Sequence, residues 1–161
     1  MSLRYWFGNA DANRTIADFV SGMVPHVRAR GFGPCQAIGV VNADNELIAG
    51  FVYHHLSPEV GVMEISAAAI PGQKWLTRTT LEVIYRYPFE TCGCQMVIHT
   101  IRASHRHLLR PLAVLGCKMS TVERLFGRDE DGIVATLTDD AWAANKFRHA
   151  WVTPPQQQEA A

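Results

Sequence analysis

Residues 59–118 read EVGVMEISAAAIPGQKWLTRTTLEVIYRYPFETCGCQMVIHTIRASHRHLLRPLAVLGCK. The order of elements is strand, turn, helix, strand, helix. A strand over 60–70 ends in Ser66-Ala67-Ala68-Ala69-Ile70, with almost no side-chain bulk. Pro71-Gly72-Gln73-Lys74 then turns the chain into a helix over 77–87, with Leu81, Ile84, Tyr85 and Pro88 on its apolar side and Trp75 and Leu76 anchoring its start. Small side chains let a ligand approach the main chain, and a helix N-terminus offers unpaired amides and a positive dipole end. Together they make a place to hold a phosphate-bearing cofactor.

On the N-terminal side, an apolar run over 3–7 predicts the first strand, and Gly8-Asn9-Ala10-Asp11 supplies turn and capping chemistry. Ile16, Phe19, Val20, Met23, Val24 and Val27 recur at helical spacing, a buried stripe that Pro25 interrupts. Proline removes a helical hydrogen bond and clashes with the preceding turn, so two short helices are expected, the second opening near Pro25. Strands over 36–41 and 47–56 flank the polar tip at 42–46 as a hairpin. In the second of these, both alternating sets are apolar, which fits a strand covered on both sides.

On the C-terminal side, strands are expected over 94–101, 118–125 and 133–137. A helix over 105–115 carries Leu108, Leu109, Leu112 and Leu115, with Pro111 predicting a kink or a late start. Asp139 or Asp140 would cap a last helix holding Trp142 and Phe147. The tail at 153–161 is too polar to fold alone and is expected to be disordered, leaving one domain over 1–152. The predicted class is α/β (α+β), with a mixed, mostly antiparallel central sheet and helices on both faces.

The 161 residues suit one domain with a real core, and a hydrophobic share of 48% excludes a disordered chain. Basic and acidic residues balance at 15 each, so nothing draws the chain generally to nucleic acid or to an anionic membrane. The N-terminus MSLRYWFGN lacks the pattern of a secretory signal, and no apolar run reaches membrane-spanning length. A cytoplasmic location is expected, with Cys35, Cys92, Cys94 and Cys117 as reduced thiols.

The order of elements resembles that of the GNAT superfamily of acyl-CoA-dependent acyltransferases, over nearly the whole chain. LLRPLAVLGC, residues 108–117, looks like the family helix that ends in Leu-Gly-Phe. IVATLTDDAW, residues 133–142, and Arg86-Tyr87-Pro88-Phe89-Glu90 are similar to the branch that includes ribosomal-protein N-acetyltransferases. GFGPCQAIGVV followed by IAGFVYHH is similar to GNAT-like proteins of prophages. The resemblance implies acetyl-CoA as co-substrate, an amine acceptor on a small molecule or a protein N-terminus, and a cofactor loop over 71–76. The family loop has Arg or Gln, two variable residues, Gly, a variable residue, then Gly or Ala. Here Pro71 takes the first place, Lys74 that of the first Gly and Leu76 that of the small residue, while Gly72 is the glycine that remains. The implied cofactor-binding residues are Ala68, Ala69, Ile70, Gly72, Gln73, Lys74, Trp75, Leu76, Thr77 and His105. His105 stands where the family often has Asn, and Leu112 where many members have the Tyr that protonates the leaving thiolate.

Acyl transfer to an amine needs a base, or a water relay, and amides that steady the thioester oxygen. Glu64, mid-strand among Val62, Met63 and Ile65, is the candidate base, with Ser66 on the same face as a candidate proton relay. His54, His55 and His99 are read as packed or surface residues that could also line a groove. Arg78, Arg102, Arg106 and Arg110 form a basic strip near the cofactor groove. Cys92-Gly93-Cys94 with His105-Arg106-His107 is spaced too tightly for structural zinc, so no metal is expected. The alternative function is a GNAT-fold protein that no longer catalyses, a structural or interaction module of phage origin, suggested by the altered loop and the missing Tyr. Exposed sheet edges leave room for a homodimer.

Overall fold

Two apolar clusters, one on each side of a single sheet, set the architecture. On one side, Ala12, Ile16 and Val20 of the first helix pack on Ala37 and Val52. On the other, Phe51, Tyr53, Met63 and Ile65 meet Val83, Ile84, Leu112, Leu115, Leu137 and Trp142. The computed structural model describes residues 2–146. Phe147 and the tail at 153–161 lie outside the described residues.

In chain order the elements are β1 (Arg4–Trp6), α1 (Ala10–Met23), β2 (Gln36–Val41), β3 (Leu47–Ser57), β4 (Val62–Ala69), α2 (Arg78–Arg86), β5 (Met96–Arg102), α3 (Leu109–Leu115), β6 (Lys118–Val122), β7 (Gly132–Thr138) and α4 (Asp139–Ala143). The seven strands form one sheet in the order β1-β2-β3-β4-β5-β7-β6. Every neighbouring pair is antiparallel except β4 with β5. This is the mixed, mostly antiparallel sheet expected, with helices on both faces.

Local chemistry accounts for the boundaries. Asn9 caps α1 by accepting from the Ala12 amide at 2.8 Å, and Thr77 caps α2 by accepting from Thr80 at 3.0 Å. α1 lies close on the sheet because Gly50 leaves room: a Cβ there would stand 2.8 Å from Val20 Cγ2 and 2.9 Å from Ile16 Cγ2. Buried residues run without a break from Ile48 to His54, as the apolar pattern of that strand requires.

Three boundaries differ from expectation, and the late start that Pro111 predicts is found. Pro25 ends the helix, and no second one follows: residues 25–30 are turns, held by Val27 N–H to Val24 O and Gly31 N–H to Val27 O. Pro88 does not stop the chain turning after α2; the coil widens into one π turn, Tyr87–Thr91. Pro111 sits in the first turn of α3, where its missing N–H has no helical partner to lose, so the helix starts late, after a 3-10 turn over Arg106–Leu108. Thr138, one residue before the expected aspartates, caps α4 by accepting from Ala141.

Candidate functional site

β4 and β5 pair only where Val62, Met63 and Glu64 face Met96, Val97 and Ile98. Beyond that point the strands part, although β3 stays paired to β4 out to Ala69 and β7 to β5 out to Arg102. At the fork an imidazole replaces the ladder. His99 Nδ1 lies 3.2 Å from Ile65 O, and its Nε2 lies 3.0 Å from the Tyr85 hydroxyl. The carbonyl can only accept, so His99 carries its proton on Nδ1 and Tyr85 O–H donates to Nε2. Burial pushes the His99 pKa down to about 4, so the ring is neutral.

Between the parted strands lies a cleft of about 1020 Å³. Ser66, Ala67, Ala68, Ala69 and Ile70 form its β4 wall, and Thr100, Ile101 and Arg102 its β5 wall. Gly72, Gln73, Trp75, Leu76, Thr77 and His105 also line it, so it gathers most of the residues expected at a cofactor site. Lys74 is exposed and outside the lining. Trp75 does not plug the cleft: its ring packs on Phe51, with centroids 5.4 Å apart. Gly72 has φ +82, a conformation that a side chain would strain. Of the basic strip, Arg78, Arg102 and Arg110 line the cleft and Arg106 does not. Leu112, the position the resemblance compares with a Tyr, is buried and lines the cleft.

Two loops meet over the cleft. Phe126, after β6, packs edge-on against His26, after α1, with centroids 5.0 Å apart, and the Arg102 guanidinium lies 5.0 Å from the Phe126 ring. Burial, then the charges of Arg102 and Arg30, lowers the His26 pKa.

Glu64 lies beside the lining rather than in it. Its Oε1 accepts from Thr100 Oγ1, a cleft residue, at 3.2 Å, and its Oε2 is 2.8 Å from His55 Nδ1. Ser66 Oγ is 2.8 Å from His54 Nε2, and His54 Nδ1 is 3.0 Å from His55 Nδ1. Close polar contacts therefore link Ser66 in the cleft, two imidazoles and Glu64, with His54 and Glu64 both meeting His55 at Nδ1. His54 is buried, which lowers its pKa, and its ring lies 5.0 Å from that of Phe32. The histidine pair, read from sequence as packing or surface, belongs to this network. The hairpin register was the available signal, since His54 faces Glu64 and Val52 faces Ser66 across β3 and β4.

The four cysteines are free, and burial raises the pKa of Cys35 and Cys94 and pushes Cys117 up to about 11, leaving those three as thiols. Among the described residues no helix is long and apolar enough to cross a membrane.

No family model matches the sequence, and no curated protein sequence matches it. Solved structures do. A chimera of the spermidine N-acetyltransferase SpeG from Vibrio cholerae and hSSAT superposes with a TM-score of 0.71 at 12% identity, covering 90% of this chain and 100% of that one. A dodecameric spermidine N-acetyltransferase from Vibrio cholerae gives 0.66 at 11% identity, covering 87% and 95%. The ribosomal-protein-S5-alanine acetyltransferase from Vibrio fischeri gives 0.59 at 16% identity, covering 67% and 63%. These structural relatives are acetyltransferases, and at such identities the likeness establishes the architecture: the chain has the GNAT-like α/β fold.

Proposed function

We propose that the chain is an N-acetyltransferase of the GNAT superfamily that moves an acetyl group from acetyl-CoA to an amine. The observation that carries this is the parting of β4 and β5 after Glu64 and Ile98, which opens the cleft. The edge of β4 beyond the fork offers main chain to an extended ligand, and Ser66 to Ala69 keep side chains out of its way. The turn at Gly72 and the start of α2 at Thr77 close the same cleft, where a helix N-terminus suits a diphosphate. Main-chain groups supply most of this binding, so Lys74 and Leu76 in place of the family's Gly and small residue leave it intact.

The acceptor amine enters under Phe126 and His26. Glu64 takes its proton, directly or through one water, and the largely exposed His55 exchanges protons between Glu64 and solvent. The neutral amine attacks the thioester carbon, the carbon–sulfur bond breaks, and the proton that the attacking nitrogen then loses passes through water to the sulfur, so CoA leaves as the thiol.

Thermal unfolding with acetyl-CoA tests the reading. At 100 times the dissociation constant the ligand adds about 2.7 kcal/mol to stability. No shift at millimolar acetyl-CoA refutes the enzyme and leaves a GNAT-fold module without its cofactor.

A further inference from the structure

Adjacent residues of a strand point to opposite faces. His54 and His55 do not. His55 has φ +51, and the register between β3 and β4 slips between His54 and Ser57. A bulge of this kind re-aims side chains and is a recurrent feature beside functional sites. Its result here is that two imidazoles converge on one carboxylate. His54 Nδ1, His55 Nδ1 and a Glu64 oxygen lie within 4.8 Å of one another, with contacts of 3.0 and 2.8 Å. Among the described residues this is the one group of three or more His, Cys, Asp or Glu side chains whose ligand atoms converge so closely.

A hydrogen-bonded chain alone serves these atoms poorly. His54 Nδ1 and Glu64 Oε2 both approach His55 Nδ1, and a single proton there must be shared between them. A cation bound by all three lone pairs at once has no such conflict. The distances also suit one: bonds of ~2.0–2.1 Å from a tetrahedral ion place its ligands about 3.3 Å apart. The outward-facing atoms of two ligands are already held, His54 Nε2 by Ser66 at 2.8 Å and Glu64 Oε1 by Thr100 at 3.2 Å. Partners of this kind fix the orientation of metal ligands. His55 and Glu64 keep 68% and 23% of their side chains accessible, so an ion has an entry path and room for a water ligand.

We propose that His54, His55 and Glu64 form an open, three-ligand site for a divalent transition metal of the zinc class. Two imidazoles and one carboxylate select zinc, cobalt or nickel over calcium or magnesium, which prefer all-oxygen sites. The site differs from the Cys92-Gly93-Cys94 and His105-Arg106-His107 combination weighed from the sequence. Binding follows from geometry alone. Its consequence rests on the acetyltransferase reading: an ion on the Glu64 carboxylate removes the base, so the metal inhibits transfer reversibly.

The test is a titration of the tag-free, chelator-treated full chain with Co²⁺, followed by visible d–d absorption. One equivalent should bind and be displaced by Zn²⁺. His55→Ala, at a largely exposed position, should weaken binding at least tenfold, and Ser66→Ala roughly tenfold through loss of the outer hydrogen bond. Absence of a visible band under excess Co²⁺, or an unchanged titration in His55→Ala, overturns the site. The readout needs no acetyl-CoA, so it stands if the enzyme reading fails. If transfer is established, activity unaffected by a saturating equivalent of Zn²⁺ overturns the inhibitory consequence.

Discussion

Replacing Gly50 by alanine tests how α1 is seated. The new methyl group would stand 2.8 Å from Val20 Cγ2, 2.9 Å from Ile16 Cγ2 and 3.3 Å from Phe19 Cδ1. Val20 and Ile16 are fully buried on the inner face of α1, so neither side chain can swing into solvent. Overpacking of this kind costs ~1–3 kcal/mol, against ~0.4–1 kcal/mol recovered because alanine restricts the unfolded chain. The net loss is about 1–2 kcal/mol, or roughly 2–8 °C in Tm for a domain of this size. Thermal and urea unfolding followed by circular dichroism measure it. Val20→Ala clears the nearest contact, so the double variant should be more stable than the two single losses predict, by about 1 kcal/mol. A Gly50→Ala protein that melts at or above the parent temperature would refute the close seating of α1, and with it the placement of Met23 to His26 over the cleft.

Glu64→Gln keeps the size of the side chain and can still accept from Thr100; it should slow transfer ~10²–10⁴-fold. Acetyl-CoA affinity by calorimetry should be unchanged, and equal turnover in a thiol-release assay over an amine panel would remove Glu64 as base. Thr77→Ala deletes the α2 cap and should cost about 1 kcal/mol in urea unfolding, whereas Thr77→Ser should not. Stability should fall in acid. His99 takes up its proton near 4 when folded, against an ordinary 6.5 when unfolded, so its contribution is complete above pH 6.5 and is lost as pH falls toward 4. The loss is on the order of 3 kcal/mol, and His54, also lowered by burial, adds to it. His99→Gln should flatten that acid limb in urea midpoints between pH 7 and pH 4.5.

The parts legible in the sequence were those written in short-range chemistry. Ile16 and Val20 marked the buried face of α1, the unbroken apolar run of β3 marked a central strand, and Ser66 to Ala69 marked a strand end of little bulk, which lines the cleft. Proline effects were legible in kind but not in outcome. Pro25 ends a helix with turns behind it, while Pro88 is absorbed into a π turn, because the choice depends on what packs nearby. The role of His54 was hidden for another reason. Its partners Ser66 and Glu64 become neighbours only through hairpin register, and the re-aiming of His55 depends on a positive φ that a histidine seldom adopts. Single residues read one at a time gave packing; the pair read across the strands gives a network.

Among the described residues, three residue pairs, the His99 imidazole on the Ile65 carbonyl and the Thr100 hydroxyl on Glu64 tie β4 to β5. The molecule is therefore two blades meeting at one narrow seam, each braced on its far side by antiparallel pairing. Force applied at the mouth is levered onto that seam, and torsion there meets less resistance than flexing either blade. An occupant long enough to lie along both margins would act as a splint, locking the angle between them.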